Sequence, residues 1–73
     1  MKNKVLCRFM IGGKVLKLVE RSEDCSHWSD YIIMEGRKRA ERGKVYNSYY
    51  MAWIDFQCMC EQNFFNVIKE GIL

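Results

Sequence analysis

Residues 49–69, YYMAWIDFQCMCEQNFFNVIK, decide the fold. Tyr49, Trp53, Phe56, Cys60, Phe64 and Val67 follow one another at spacings of four, three, four, four and three, which stacks them on one side of a helix. Asp55, Gln62, Asn66 and Lys69 fall on the other side, toward water. The spacing predicts a long C-terminal amphipathic helix with Trp53 in its buried stripe. Ile54, Cys58 and Phe65 lie on a separate flank, so the helix has more apolar surface than one sheet can cover. An apolar flank among polar neighbours marks an interface, here with a second copy of the chain as a homodimer or with another protein.

Working back toward the N-terminus, two β-prone runs, KVLCRFMI at 4–11 and KVLKLVER at 14–21, are separated by Gly12 and Gly13 alone. Paired glycines accept the positive φ angles of the favoured two-residue turns, so a tight hairpin is expected. Within the first run, alternation puts Val5, Cys7, Phe9 and Ile11 on one side and Arg8 on the other. The polar stretch SEDCSHWS at 22–29 reads as a loop.

Residues 30–44, DYIIMEGRKRAERGK, support two readings. Residues 31–34, with β-branched Ile32 and Ile33, make a strand, and 44–50 its antiparallel partner across a long basic tip. Alternatively Ser29 caps a helix, Glu35 and Arg39 pair along it, and Gly43 ends it. Gly36 weighs against that helix by about 1 kcal/mol relative to Ala. The strand reading gives an α+β fold: the Gly-Gly hairpin plus one or two further strands in a small antiparallel sheet, packed against the long helix. The other gives a hairpin followed by two helices.

Length confines these elements to one domain, residues 1–73. A chain this short buries only roughly 60% of its unfolded surface, so two Trp, four Phe and four Tyr are needed in the core. With 49% hydrophobic residues and clear periodicity, folding rather than disorder is expected. The N-terminal MKNKVLCRFMIGG is a poor signal peptide because Arg8 breaks its apolar run, and nothing approaches the roughly 18 apolar residues of a membrane span. A cytoplasmic location is therefore expected, with the cysteines at 7, 25, 58 and 60 reduced and packed as small hydrophobes.

Function has to be sought in a few local features. Arg37, Lys38, Arg39, Arg42 and Lys44 oppose only Glu35 and Glu41, while the remaining seven cations and seven carboxylates cancel, so the whole net charge of +3 resides there. With Tyr46, Tyr49 and Tyr50 nearby, the segment is suited to an acidic protein or nucleoprotein surface, or to phosphates and stacked bases of DNA or RNA. A solvated basic tip is the plain alternative. Cys25 and His27 with Cys58 and Cys60 have the composition of a structural zinc site, but within a helix residues 58 and 60 point roughly 160° apart and cannot grip one ion together. Catalysis finds no support: Cys25 and His27 in a loop have no third group to orient them, and the glycine pair is explained by its turn.

These features point to a non-enzymatic interaction protein that acts by stoichiometric binding, with no cofactor implied. Its expected partner is an acidic protein or nucleoprotein surface, met through Arg37, Lys38, Arg39, Arg42, Lys44, Tyr46, Tyr49 and Tyr50, with Ile54, Cys58 and Phe65 available for self-association. A DNA- or RNA-binding regulator and a zinc-stabilised domain are the alternatives. By association alone, small domains of this kind also suggest accessory proteins of phages or mobile elements, including inhibitors of host defence complexes.

Overall fold

Gly12 and Gly13 adopt φ angles of 57° and 80° and join β1 (Lys2–Ile11) to β2 (Lys14–Ser22) in antiparallel register, with Ile11 opposite Lys14. The computed structural model, which describes residues 2–23, 28–40 and 43–71, extends this hairpin to a sheet of order β1-β2-β3-β4, with β3 at Ser29–Glu35 and β4 at Lys38–Arg39. One helix, α1 (Tyr49–Glu70), follows. The chain is thus α+β, as the strand reading of residues 30–44 expects. The partner of β3 differs from that expectation: Gly36, at φ 63°, turns the chain early, and Lys38 and Arg39 pair with Glu35 and Met34. Only Tyr46 of the 44–50 segment reaches β3, through an isolated bridge to Tyr31. Tyr49 and Tyr50 already belong to the helix.

The helix begins where Tyr49 meets Tyr31 edge-on, at 5.7 Å between ring centroids, and ends over the β1–β2 turn, where Val67 packs beside Gly12. A 22-residue helix is ~33 Å long and the nine-residue β2 ~30 Å, so one helix spans the sheet. Gly71, at φ 73°, caps the helix in the left-handed conformation. No helix among the described residues is long and apolar enough to cross a membrane.

Leu16, Leu18, Ile33, Tyr46, Ala52 and Phe56 form the core between helix and sheet. The buried helix residues, Ala52, Phe56 and Val67, centre roughly 40° around the axis from the expected aromatic stripe. Trp53 and Cys60 are only partly buried, and Tyr49 and Phe64 are exposed. Ala52 explains the rotation, because a methyl side chain lets the helix backbone come down close to the sheet. In β1 an irregularity between Val5 and Cys7 shifts the pleat by one residue. Val5 therefore stands opposite Val19 on the far face, and Leu6 packs against the core in its place.

Gly12 serves two purposes. A Cβ there would lie 2.6 Å from Val67 Cγ2, on a backbone at positive φ. Gly12→Ala is expected to cost about 2 kcal/mol, from strain at positive φ plus crowding, while Gly13→Ala, with no atom within 4 Å of its Cβ, carries the strain alone. Urea unfolding of the two variants checks that order.

Candidate interaction surface

The expected binding residues divide into two groups. Arg37, Lys38 and Arg39 are exposed at the β3–β4 turn, held against the sheet by the Gly36 N–H donating to the Val15 carbonyl (2.9 Å) and the Ala40 N–H donating to the Ile33 carbonyl (2.8 Å). Arg42 lies outside the described residues. The tyrosines belong to the other end of β3: Tyr46 stands opposite Tyr31, and Arg39 opposite Met34, three residues or ~10 Å further along.

Tyr46 is a fastening rather than a contact surface. It is 5% exposed, its N–H and C=O both pair with Tyr31 at 2.9 Å, and its hydroxyl donates to Asp55 Oδ2 at 2.7 Å. Lys44 supports the same carboxylate, with Nζ at 3.3 Å and 4.9 Å above the Tyr46 ring. Together they tie the loop after β4 to the first turns of α1. Tyr49 stacks on Trp53 at 6.3 Å, and Tyr50, 74% exposed, faces solvent. Ile54, Cys58 and Phe65 are exposed on the outer side of the helix, Phe65 at 62%.

The Tyr46 hydroxyl, aided by Lys44 and opposed by burial, holds the Asp55 carboxyl below the ordinary carboxylate range. A carboxyl depressed in the folded state stabilises it above the unfolded pKa and loses that contribution as pH falls through the folded one. Tyr46→Phe is expected to cost about 1 kcal/mol at neutral pH and to lessen the fall in stability below pH ~4. Thermal melts across pH 2–7 would show both effects.

The sheet's second face holds what the sequence pattern left unseen. In register, Arg8 stands opposite Lys17, Lys17 opposite Met34, and Met34 opposite Arg39. Facing residues of neighbouring strands share a face, so one row crosses all four strands with three cations and a methionine. It spans three strand spacings, ~14 Å. None of the three cations forms an ion pair among the described residues. The flanking rows are apolar: exposed Met10 and half-buried Val15 on one side, and on the other exposed Val5 followed by Val19 and Ile32, which are buried. Helix α1 covers the opposite face, where the core lies. Arg8 and Lys17 were legible in principle, since counting back from a two-residue turn at 12–13 pairs residue 8 with 17.

Among the described residues no group of three or more His, Cys, Asp or Glu is placed to hold a metal ion. Cys25 and His27 lie outside the described residues. Cys58 is exposed, whereas burial and, second to it, the neighbouring Cys7 push the Cys60 thiol up. Cys60→Ser should therefore cost about 1 kcal/mol and Cys58→Ser under ~0.5, and alkylation should find Cys58 before Cys7 and Cys60. No protein family, curated protein or solved structure matches this chain.

Proposed function

We propose that the chain is a non-enzymatic interaction module that binds an acidic protein surface stoichiometrically through the open face of its sheet, as a small accessory or inhibitory protein does. The row Arg8, Lys17, Met34 and Arg39, set among Met10, Val15 and Val5, carries this reading. Arg37 and Lys38 extend it at the turn. Arginines give paired contacts to carboxylates, and methionine and valine between them supply apolar area that a phosphate backbone would leave unused. The three tyrosines expected to stack on bases do not join this row, because Tyr46 is in the core and Tyr49 and Tyr50 start the helix.

The test is a titration with an acidic polypeptide carrying interspersed apolar residues, and with random duplex DNA, at low and moderate salt, using the native chain and a Lys17→Glu, Arg39→Glu variant. Polypeptide binding weakened about tenfold or more in the variant is expected. DNA binding with a steep salt dependence that the variant abolishes would replace the protein partner by nucleic acid. Binding to neither ligand ends the reading.

A further inference from the structure

A second site lies where the helix rotation leaves its aromatic stripe beside the edge of the sheet. Cys7 and Phe9 of β1 face Trp53 and Cys60 of α1 across a depression of about 270 Å³. Phe9, Cys60 and Glu61 also line the next depression, of about 280 Å³, whose far end is Phe64 and Phe65. The two form one mainly apolar groove along β1, with Gln57 and Glu61 on its helix side, so that the acidic side chains of an occupant belong on the opposite, Arg8 side.

Its rim is a free strand edge. β1 is terminal in the sheet, and no described strand pairs with its outer side. In a two-residue hairpin the residues flanking the turn exchange hydrogen bonds, so Ile11, Phe9 and Cys7 point their N–H and C=O groups toward β2. By alternation Arg8 and Met10 point theirs outward. The Val15 carbonyl agrees: it accepts from Gly36 on the β3 side, as it must if Val15 and its partner Met10 share no bonds. Four main-chain groups at 8 and 10 thus border an apolar groove.

We infer that this groove accepts an extended peptide segment of another protein as a fifth strand on β1, with alternate side chains apolar and acidic. The pleat fixes that pattern. Side chains of the added strand on the helix side enter the groove, and those on the other side stand next to Arg8 at the end of the cation row. Alternate residues of a strand share one face, so successive apolar side chains of the added strand face the two depressions, which adjoin at Phe9 and Cys60. Charge selects the occupant. β1 carries Lys2, Lys4 and Arg8 and no carboxylate, which opposes pairing with a second copy of itself and favours an acidic strand. A helix in the groove would leave the outward groups of Arg8 and Met10 unpaired, whereas strand addition uses them. With the open-face reading it shares the acidic character of the partner and one residue, Arg8, at the end of the cation row.

The experiment uses a synthetic ten-residue peptide alternating Val or Phe with Glu, a scrambled peptide of identical composition, and an alternating peptide with Lys in place of Glu. Amide hydrogen exchange of the full chain is the first readout. The alternating acidic peptide should protect the N–H groups of Arg8 and Met10, and bind about tenfold or more tightly than either control. Met10→Pro is the matching variant. Its lost N–H faces outward, where an edge strand tolerates proline, so the melt should be nearly unchanged while the peptide binds at least about tenfold more weakly. Equal binding of alternating and scrambled peptides, or no protection at Arg8 and Met10, overturns the inference. So does protection of these amides that grows with protein concentration alone, which would assign the edge to a second copy. Arg39→Glu separates the two sites: Arg39 lies on β4, three strand spacings from Arg8, so this variant should weaken the open-face partner and keep the groove peptide.

Discussion

Phe56→Ala is expected to destabilise the fold by about 3–5 kcal/mol, and Trp53→Ala, three residues earlier on the same helix, by about 2. Phe56 is 2% exposed and belongs to the core cluster with Leu16, Leu18 and Ile33, so its removal leaves a cavity between helix and sheet that neither layer can close. Trp53 is larger but only partly buried; it stacks on Phe56 at 5.9 Å and on Tyr49 at 6.3 Å while one side lines the groove by β1. A 73-residue domain has roughly 4–11 kcal/mol of total stability, so the Phe56 variant should lose its transition near room temperature or melt at least ~12 °C lower. Denaturant unfolding of both variants reads the difference directly. Equal losses, or a larger one for Trp53, would falsify the helix orientation and with it the groove.

Periodicity puts Trp53 and Phe56 in one buried stripe and expects a core-sized loss from Trp53 too, and the reason they differ is physical. Spacing finds an apolar stripe, and here the stripe is wider than the surface the sheet covers. The hydrophobic pattern runs from Ala52 and Met59 through Phe56 to Trp53 and Phe64, and only backbone approach decides which part is buried. Ala52 wins because it is small, a preference that no sum of hydrophobicity would give. The Gly12–Gly13 turn was legible because glycine alone adopts positive φ cheaply, and it sets the register of β2 against β1; the early turn at Gly36 was not, because a single glycine in a basic run suits a long hairpin tip equally well. The far face of β1 was not legible beyond Cys7, since the shift between Val5 and Cys7 has no signature in NKVLCRF. The basic segment was found, but its real neighbours, Arg8 and Lys17, are distant in sequence and join it only through pairing. Tyr46 looked like a contact residue because a tyrosine's burial depends on whether a hydroxyl partner is waiting, and Asp55 had been assigned to solvent.

Asp30 presents the same problem in a stronger form, and its removal is the second large effect expected. Asp30 is 3% exposed, and Arg21 on the neighbouring strand grips it with two bonds, Nε to Oδ1 at 2.8 Å and Nη2 to Oδ2 at 2.7 Å. The two residues are direct partners in register, on the open face next to Val19 and Ile32. The bond to Asp30 raises the Arg21 pKa against the opposing effect of burial, and the guanidinium side chain is only 14% exposed. Asp30→Ala should cost about 3 kcal/mol, because it leaves that cation enclosed without its counter-ion. Arg21→Ala strands a carboxylate that is more deeply buried still, so it should cost at least as much. An apolar pair in place of both, Arg21→Met with Asp30→Val, should recover most of the loss, since the strands then bury valine and methionine beside Val19 and Ile32 with no charge to desolvate. Salt distinguishes this pair from the exposed ones. Lys14 with Glu35 and Lys44 with Asp55 face water and should weaken as ionic strength rises, whereas the double-mutant-cycle coupling of Arg21 and Asp30 should change little between 0.05 and 0.5 M salt, on the order of a few tenths of a kcal/mol. A coupling that vanishes at high salt would mean the pair is solvated, and the open face would then be a looser, wetter surface than the one argued to receive a partner.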